Sequence, residues 1–124
     1  MKNTCLILIA HSSKEASWQK HLIKIVSKLE GKLKGQVLLA YLNPGRPTLQ
    51  EVVNKLIRNE VKKICILPLF MGPGKHTNKD IPNEVREIKR RYKDLTIKLL
   101  PAIGNDPVFV SAIINLAKTH LNKI

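Results

Sequence analysis

The sequence predicts an α/β fold, with a single four-stranded parallel sheet and helices on both faces. Short apolar runs alternate four times with segments whose apolar residues recur at helical spacing. The runs are almost continuously apolar, which is typical of strands that are covered on both sides. Strands that alternate with helices pair in parallel through crossover connections. Because no linker divides the chain, we expect one domain over residues 1–124.

Four apolar runs are the predicted strands. Each is short enough to be a single strand. Cys5 and Cys65 fall inside two of the runs and lack the spacing of a zinc or redox motif, so we expect buried free thiols. The predicted strands are Thr4–Ala10, Gln36–Leu42, Lys63–Phe70 and the segment LTIKLLP, Leu95–Pro101.

Four amphipathic segments are the predicted helices. Thr48 and Glu51 have the spacing of a capping box before the second helix, Asp80 is the expected cap of the third, and Asp106 that of the fourth. The apolar positions expected to face the sheet are Trp18, Leu22, Ile25, Val26 and Leu29 in the first helix, Leu49, Val52, Val53, Leu56 and Ile57 in the second, Ile81, Val85, Ile88 and Tyr92 in the third, and Val110, Ile113, Ile114, Ala117 and Leu121 in the fourth.

The most unusual bulk property is a net charge of +13, from 22 Lys and Arg against 9 Asp and Glu. Such a field attracts polyanions, so nucleic acid, an anionic membrane surface and a small polycarboxylate or phosphate ligand all fit. No apolar run approaches the roughly 20 residues that cross a bilayer. The first run, of about seven residues, lacks the cleavage site of a signal peptide. We therefore expect a cytoplasmic protein without a membrane partner.

Two histidines follow predicted strands. Ligands of open parallel sheets bind at the carboxyl ends of the strands, which here are residues 11–15, 43–47, 71–78 and 102–105. We call these four segments the rim. His11 directly follows the first strand, and His76 lies in the loop after the third. Imidazoles bind divalent transition metals and take up protons near pH 7. Two ligands are too few for a closed structural zinc site, so the pair indicates transient metal or proton handling.

Other rim residues suggest a site for a bulky anionic ligand. Gly72 and Gly74 leave the backbone free to approach such a ligand, and Lys75 and Lys79 flank His76 and attract carboxylates. The sequence lacks the GKS/T of a Walker loop, because GKH stands at that position.

Three further features favour structural roles. Ser12 and Ser13 adjoin His11, but no nucleophile elbow is present and Ser12 has capping-box spacing to Glu15. His21 and His120 fall on predicted helix surfaces. The basic run REIKRRYK suggests a nucleic-acid face, yet no RRM, KH or helix-turn-helix signature accompanies it, so nucleic acid is a lesser alternative.

Several segments together resemble the short-form sirohydrochlorin metal chelatases, which are class II chelatases. LILIAHSSKE resembles the family's GHGSR opening, and AYLNPGRPTLQE resembles its AFLE…PSL segment. ICILPLFMGPGKHTNKDIPNEV resembles the signature VVVPLFL…GxHxxxDIP, which is the most specific part, and PAIGNDPVFVSAI continues the match. The resemblance runs from about Leu6 to Leu121.

The resemblance implies insertion of Co²⁺, Ni²⁺ or Fe²⁺ into sirohydrochlorin without ATP and without a permanently bound cofactor. The family's two metal-handling histidines fall on His11 and His76, which are the expected catalytic residues. Chains of this length resemble one half of the two-domain chelatases and pair as homodimers around a shared cleft. The tetrapyrrole bears eight carboxylates, which accounts for the net charge of +13. The expected substrate-binding residues are Ser12, Ser13, Asn43, Gly72, Gly74, Lys75 and Lys79.

The sequence departs from the family pattern in its first two loops. Ala10 and Ser12 replace glycines of GHGS, which reduces the conformational freedom of the first loop. Asn43 stands where many relatives have a glutamate, and an amide cannot take up a proton at neutral pH. Either the two histidines suffice for chelation, or the chain is a noncatalytic tetrapyrrole or metal carrier on the same fold.

Overall fold

The structure, a computed structural model, describes residues 3–33 and 35–124, and for His76 the backbone alone. Four strands form one parallel sheet in the order β2-β1-β3-β4, which confirms the predicted fold. All four strands start and end within two residues of the predicted limits. The elements in chain order are β1 (Thr4–Ala10), α1 (Ala16–Leu33), β2 (Gln36–Tyr41), α2 (Leu49–Arg58), β3 (Lys63–Pro68), α3 (Ile81–Arg91), β4 (Thr96–Leu99) and α4 (Pro107–Leu121).

The main core lies between one face of the sheet and helices α2 and α3. Alternate residues of β1, such as Ile7 and Ile9, point into it because strand side chains alternate between faces. The predicted inner positions of both helices are confirmed as buried or half-buried. Burial of this apolar surface is the main favourable contribution to folding. The buried helix residues are Leu49, Val52, Val53 and Leu56 in α2, and Ile81, Val85 and Ile88 in α3.

The opposite face of the sheet is covered less completely. Leu22 of α1 packs against Ala10 and Tyr41 in a second, smaller cluster. The expectation for α4 was wrong, because within Pro107–Leu121, all of which the structure describes, no residue is buried. The periodic pattern identified the helix but could not show that one chain leaves it uncovered. None of the described helices combines the length and apolar character that a membrane-spanning segment needs.

The helix starts agree with the predicted caps in two of the three cases. Thr48 and Glu51 form the capping box of α2, and the Asp106 side chain accepts a hydrogen bond of 2.8 Å from the Val108 amide. Asp80 does not cap α3 through its side chain, because a π-helical turn over His76–Asp80 runs directly into that helix. The Ser12 to Glu15 box is also absent, since Ser13 accepts from the Glu15 amide instead.

Candidate functional site

The strand order brings the two histidine-bearing loops side by side. β1 pairs with β3 from Thr4 to Ile9, with Leu8 opposite Leu67. Because both strands run in the same direction, the loops that follow them leave the sheet at the same edge. The backbone of His76 therefore lies in the loop next to that of His11, while the His76 side chain lies outside the described part of the structure.

His11 is held by an aromatic residue on each side. Its ring contacts Phe70 edge to face, with 4.7 Å between the centroids and 83° between the planes. Its backbone carbonyl accepts a 2.7 Å hydrogen bond from Trp18 Nε1 in the first turn of α1. The residue is exposed to solvent. A side chain on a rigid strand end, with its ring packed and its backbone fixed, suits a residue that must present one nitrogen to a ligand.

The loop after β3 is shaped by a short set of backbone contacts. Thr77 Oγ1 accepts from the Gly74 amide at 2.9 Å, and the Asn78 amide donates to the Gly74 carbonyl at 2.8 Å. A side chain built at Gly72 or Gly74 would meet no atom within 4 Å, so both glycines border open space. Lys75 and Lys79 are exposed on either side of His76. The loop thus offers an uncrowded backbone and two positive charges at the predicted substrate position.

The loop after β2 packs against the loop after β1. Gly45 lies so close to the Ser12 side chain that a Cβ there would sit 2.5 Å from Ser12 Cβ. Arg46 forms an ion pair with Glu51. The Arg46 side chain, followed by the Thr48 backbone amide, lowers the pKa of Glu51 to about 2. Glu51 is therefore committed to the loop and to the helix start, and it is not a free proton acceptor.

Asn43 shares a cavity of about 380 Å³ with two carboxylates. The cavity is lined by Leu42, Asn43, Asp80, Asn83 and Glu84. Partial burial, and secondly the negative charge of Asp80, raise the pKa of Glu84. Two carboxyl groups, one from α3 and one from the turn before it, therefore line the cavity that also holds Asn43. A carboxyl group with a raised pKa is better suited to accept a proton near neutral pH than an ordinary one.

The loop after β4 completes the rim through Gly104. Its amide donates to the Phe70 carbonyl at 3.0 Å, and a Cβ on this glycine would overlap the Met71 carbonyl group. This close approach holds the loop after β3 against the loop after β4. Since Phe70 also contacts His11, three of the four rim segments are linked through one residue.

The structure extends the predicted site in some places and weakens it in others. Exposed Ser12 lies close to Gly45 of the loop after β2, and exposed Ser13 accepts a hydrogen bond from the Glu15 amide, which supports structural roles. Sequence reasoning did not place Phe70, Gly104 and Glu84 at the rim, because their contacts join segments distant in sequence. It also missed the bond from Trp18 to the His11 carbonyl and the position of Asp80 in the cavity. Among the described side chains, which exclude that of His76, no three His, Cys, Asp or Glu residues are grouped as a metal site would require.

Comparisons with known proteins agree on one family. The family model described as CbiX matches residues 5–120. The sirohydrochlorin cobaltochelatase of Sulfurisphaera tokodaii is 32% identical over 84 residues, covering 68% of this chain and 69% of that protein. That of Sulfolobus acidocaldarius is 27% identical over 117 residues, covering 94% of this chain and 92% of that protein.

Solved structures share the fold. The crystal structure of a CbiX protein from Marinobacter aquaeolei VT8 is 28% identical, with a TM-score of 0.76 over 98% of this chain and 99% of that chain. The sirohydrochlorin chelatase SirB from Bacillus subtilis subspecies spizizenii, in complex with cobalt, is 20% identical with a TM-score of 0.76. This chain covers 50% of SirB with 94% of its own length, so it resembles half of that protein.

Proposed function

Because the chain belongs to the CbiX family, we propose that it inserts a divalent metal ion into sirohydrochlorin, with Co²⁺ as the first candidate and Ni²⁺ and Fe²⁺ as further ones. The metal ion is a substrate, and no ATP is required. The observation that carries this function is the position of the two histidine-bearing loops on adjacent strand ends. Relatives over nearly the full length are named sirohydrochlorin cobaltochelatases, which favours the enzyme over a noncatalytic carrier.

Metal insertion exchanges two pyrrole protons for one metal ion, so the site must both hold the metal and remove protons. We assign metal binding to His11 and His76, whose neutral imidazoles can bind the ion as it loses water. The packing of Phe70 against His11 supports this assignment, because it limits the motion of the ring. Both tasks need a positioned side chain, and for His11 that position is fixed by its place directly after β1.

Proton removal is assigned to Glu84, with Asp80 beside it. Asn43 cannot accept a proton, but Glu84 lines the same cavity. Its raised pKa favours proton uptake from the macrocycle and later release to solvent. Two protons leave the pyrrole nitrogens for each divalent metal ion that enters. The total charge of the macrocycle is therefore the same before and after metal insertion.

Substrate capture is assigned to the exposed lysines of the loop after β3. Lys75 and Lys79 attract the carboxylates of the macrocycle, while the open space at Gly72 and Gly74 leaves room for its edge. We also propose that the single domain acts in the cytoplasm as a homodimer with a shared cleft. The match to only half of SirB supports the dimer, because one chain supplies half of a two-domain fold.

The test is a metallation assay on the purified protein. Sirohydrochlorin and Co²⁺ are mixed with enzyme, and the absorption spectrum is followed against the spontaneous reaction. We expect His11→Ala and His76→Ala each to lower kcat by about 10²-fold or more, which is the usual contribution of one positioned proton or metal ligand. The matched control is His21→Ala, because His21 is exposed on α1.

Two results would contradict the proposal. If both rim variants keep the wild-type rate, the histidines are not the metal site. If the wild-type protein shifts the sirohydrochlorin spectrum without accelerating metallation, the chain is a carrier. Repeating the assay with Ni²⁺ and Fe²⁺ then ranks the three metals.

A further inference from the structure

The basic residues are concentrated at the edge of the molecule opposite the rim. Helices α2 and α3 each run back from the rim, because each connects the end of one strand to the start of another parallel strand. Their carboxyl ends and the loops before β3 and β4 therefore lie at the same edge. We call residues 55–63 and 89–95 the basic end. It contains eight of the 22 Lys and Arg residues, all of them exposed, against the acidic residues Glu60 and Asp94.

A substrate at the rim does not account for this charge. The rim segments contain three Lys or Arg residues, Lys14, Arg46 and Lys75, and Arg46 is paired with Glu51. The six residues of β3, at about 3.3 Å each, separate the two edges of the sheet by about 20 Å. Mobile ions screen charges beyond about 8 Å at physiological ionic strength. The cations of the basic end therefore contribute little to capture at the rim, while repulsion among them destabilises the fold.

A cavity of about 250 Å³ opens within the basic end. The cations Lys62, Arg91 and Lys93 line it together with one carboxylate, Asp94, so the charged groups of the lining sum to a net charge of +2. Among the described side chains, ion pairs join Arg46 to Glu51 and Arg90 to Glu87, and none involves the three cations of the cavity. Their positive charges are therefore available to a ligand.

The helix ends explain only part of this arrangement. Basic side chains in the last turn of a helix complement its negative end, and Arg91 is in that position on α3. The effect falls off beyond the last turn. Lys62 directly precedes β3, and Lys93 lies two residues after the end of α3. The convergence of these two lysines with Arg91 on one cavity therefore needs another explanation.

The walls of the cavity are held in place by hydrogen bonds between elements. The Tyr92 hydroxyl donates a 2.9 Å bond to Asn54 Oδ1, which ties the end of α3 to α2. The Thr96 amide donates to the Lys62 carbonyl at 2.9 Å, which ties the loops before β3 and β4 to each other. A preformed cavity loses little freedom when a ligand binds. The apolar members of its wall are Ile57, Val61 and Leu95.

We propose that this cavity binds the diphosphate group of a small anion, at a site separate from the rim. The Arg91 guanidinium has the planar geometry that forms two parallel hydrogen bonds to phosphate oxygens, while Lys62 and Lys93 supply compact positive charges. A diphosphate carries several negative charges and so balances this lining better than a single carboxylate does. Inorganic pyrophosphate and a nucleoside diphosphate share the group, and they differ in the organic part that the apolar wall contacts. The site does not depend on metal insertion at the rim.

The test is isothermal titration calorimetry of the full chain with pyrophosphate and, separately, with ADP, in the absence of metal and sirohydrochlorin. We expect one diphosphate to bind per chain. Arg91→Gln combined with Lys93→Gln should raise Kd about tenfold or more, because charge-assisted hydrogen bonds are lost. The matched control, Lys20→Gln combined with Lys24→Gln, removes the same charge from exposed positions on α1 and should change Kd by less than about twofold. Circular dichroism checks that both double variants keep the wild-type helix content.

The outcomes separate the possible ligands. ADP that binds more tightly than pyrophosphate identifies a nucleotide as the source of the diphosphate, and ADP that binds no more tightly identifies the inorganic anion; either result supports the site. The inference is overturned if the wild-type chain binds neither probe, or if the control weakens binding as much as the cavity variant. It is also overturned if Lys75→Gln combined with Lys79→Gln weakens binding more, because the anion then lies at the rim. A short single-stranded RNA that binds more tightly than ADP would replace the small-ligand cavity with an extended polyanion surface.

Discussion

Glu51 carries out two structural tasks, and its charge is needed for both. It pairs with Arg46 and accepts from the Thr48 amide, and these contacts lower its pKa from 4.5 to about 2. A carboxyl group whose pKa is lower in the folded state stabilises the fold above its unfolded pKa. That contribution is complete above pH 4.5 and disappears as the pH falls through about 2.

We therefore expect Glu51→Gln to lower the melting temperature at pH 7 and to lower it much less at pH 2. Thermal unfolding of both proteins between pH 2 and pH 7 measures this difference. The two curves should converge as the wild-type carboxylate takes up its proton. The control is the double variant Gln50→Glu with Glu51→Gln, which restores a carboxylate one position away from the Arg46 contacts. This double variant should not recover the lost melting temperature. If the melting temperatures differed by the same amount at all pH values, the substitution would act through altered packing and not through loss of the negative charge.

Glu84 has the opposite pH behaviour, because partial burial and Asp80 raise its pKa. Its charged form destabilises the folded state, and the cost appears as the pH rises from 4.5 through the raised pKa. We expect Glu84→Gln to raise the melting temperature at pH 7 and to lower kcat for metallation. A gain in stability together with a loss of rate is typical of an active-site group. Glu87→Gln, on the same helix, is the control and should leave the rate unchanged.

The secondary-structure elements differ in how well the sequence predicts them. The strands and the inner faces of α2 and α3 follow from local pattern, because residues such as Val53 and Ile66 are buried within one chain. The turn His76–Asp80 was not predicted, because the preceding Gly72 and Gly74 are typical of a loop. Hydrogen bonds of Gly74 with Thr77 and Asn78 connect that loop to the turn. Burial of α4 was predicted wrongly, because an apolar face does not indicate which chain covers it.

The candidate site was predicted where it depends on strand ends and was missed where it depends on contacts between loops. His11 and the loop of His76 follow from the strand pattern alone. Phe70 was assigned to a strand, and its packing against His11 depends on how two loops leave the sheet. Asn43 and Glu84 line the same cavity although 41 positions separate them in the chain. Their spacing in the sequence therefore does not predict that they lie close together.

The contact between the loops after β3 and β4 depends on the absence of a side chain at Gly104. We expect Gly104→Ala to lower the free energy of unfolding by about 1–3 kcal/mol, since the new methyl group overlaps the Met71 carbonyl. Urea unfolding measures the change. Gly72→Ala is the matched control, because its Cβ meets no atom within 4 Å, and it should stay within about 0.5 kcal/mol of the wild type. Equal losses in both variants would show that chain flexibility, not the overlap, is responsible.

At the scale of the whole molecule, the net charge of +13 governs how an anionic substrate arrives. Mobile ions screen such a field within about 8 Å at physiological ionic strength. We expect KM for sirohydrochlorin to rise several-fold between about 0.05 and 0.5 M salt while kcat changes little, because screening weakens capture and not the bond changes at the metal. Steady-state kinetics at a series of salt concentrations measures both constants.

The position of the charges can be tested in the same way. Lys75→Gln combined with Lys79→Gln should raise KM and reduce its dependence on salt. The control replaces Lys89 and Lys93, which are exposed at the far end of α3. If the two double variants behave alike, the overall field, and not the loop beside His76, attracts the substrate.

The hydrogen bond from Trp18 to the His11 carbonyl gives the protein a built-in optical reporter. Trp18 is the only tryptophan in the sequence, so all indole fluorescence originates one hydrogen bond away from the proposed metal ligand. A coloured macrocycle that settles over the rim would quench that emission, and a rearrangement of the first loop would shift its wavelength. Arrival of the pigment can therefore be timed in a stopped-flow instrument without attaching a label.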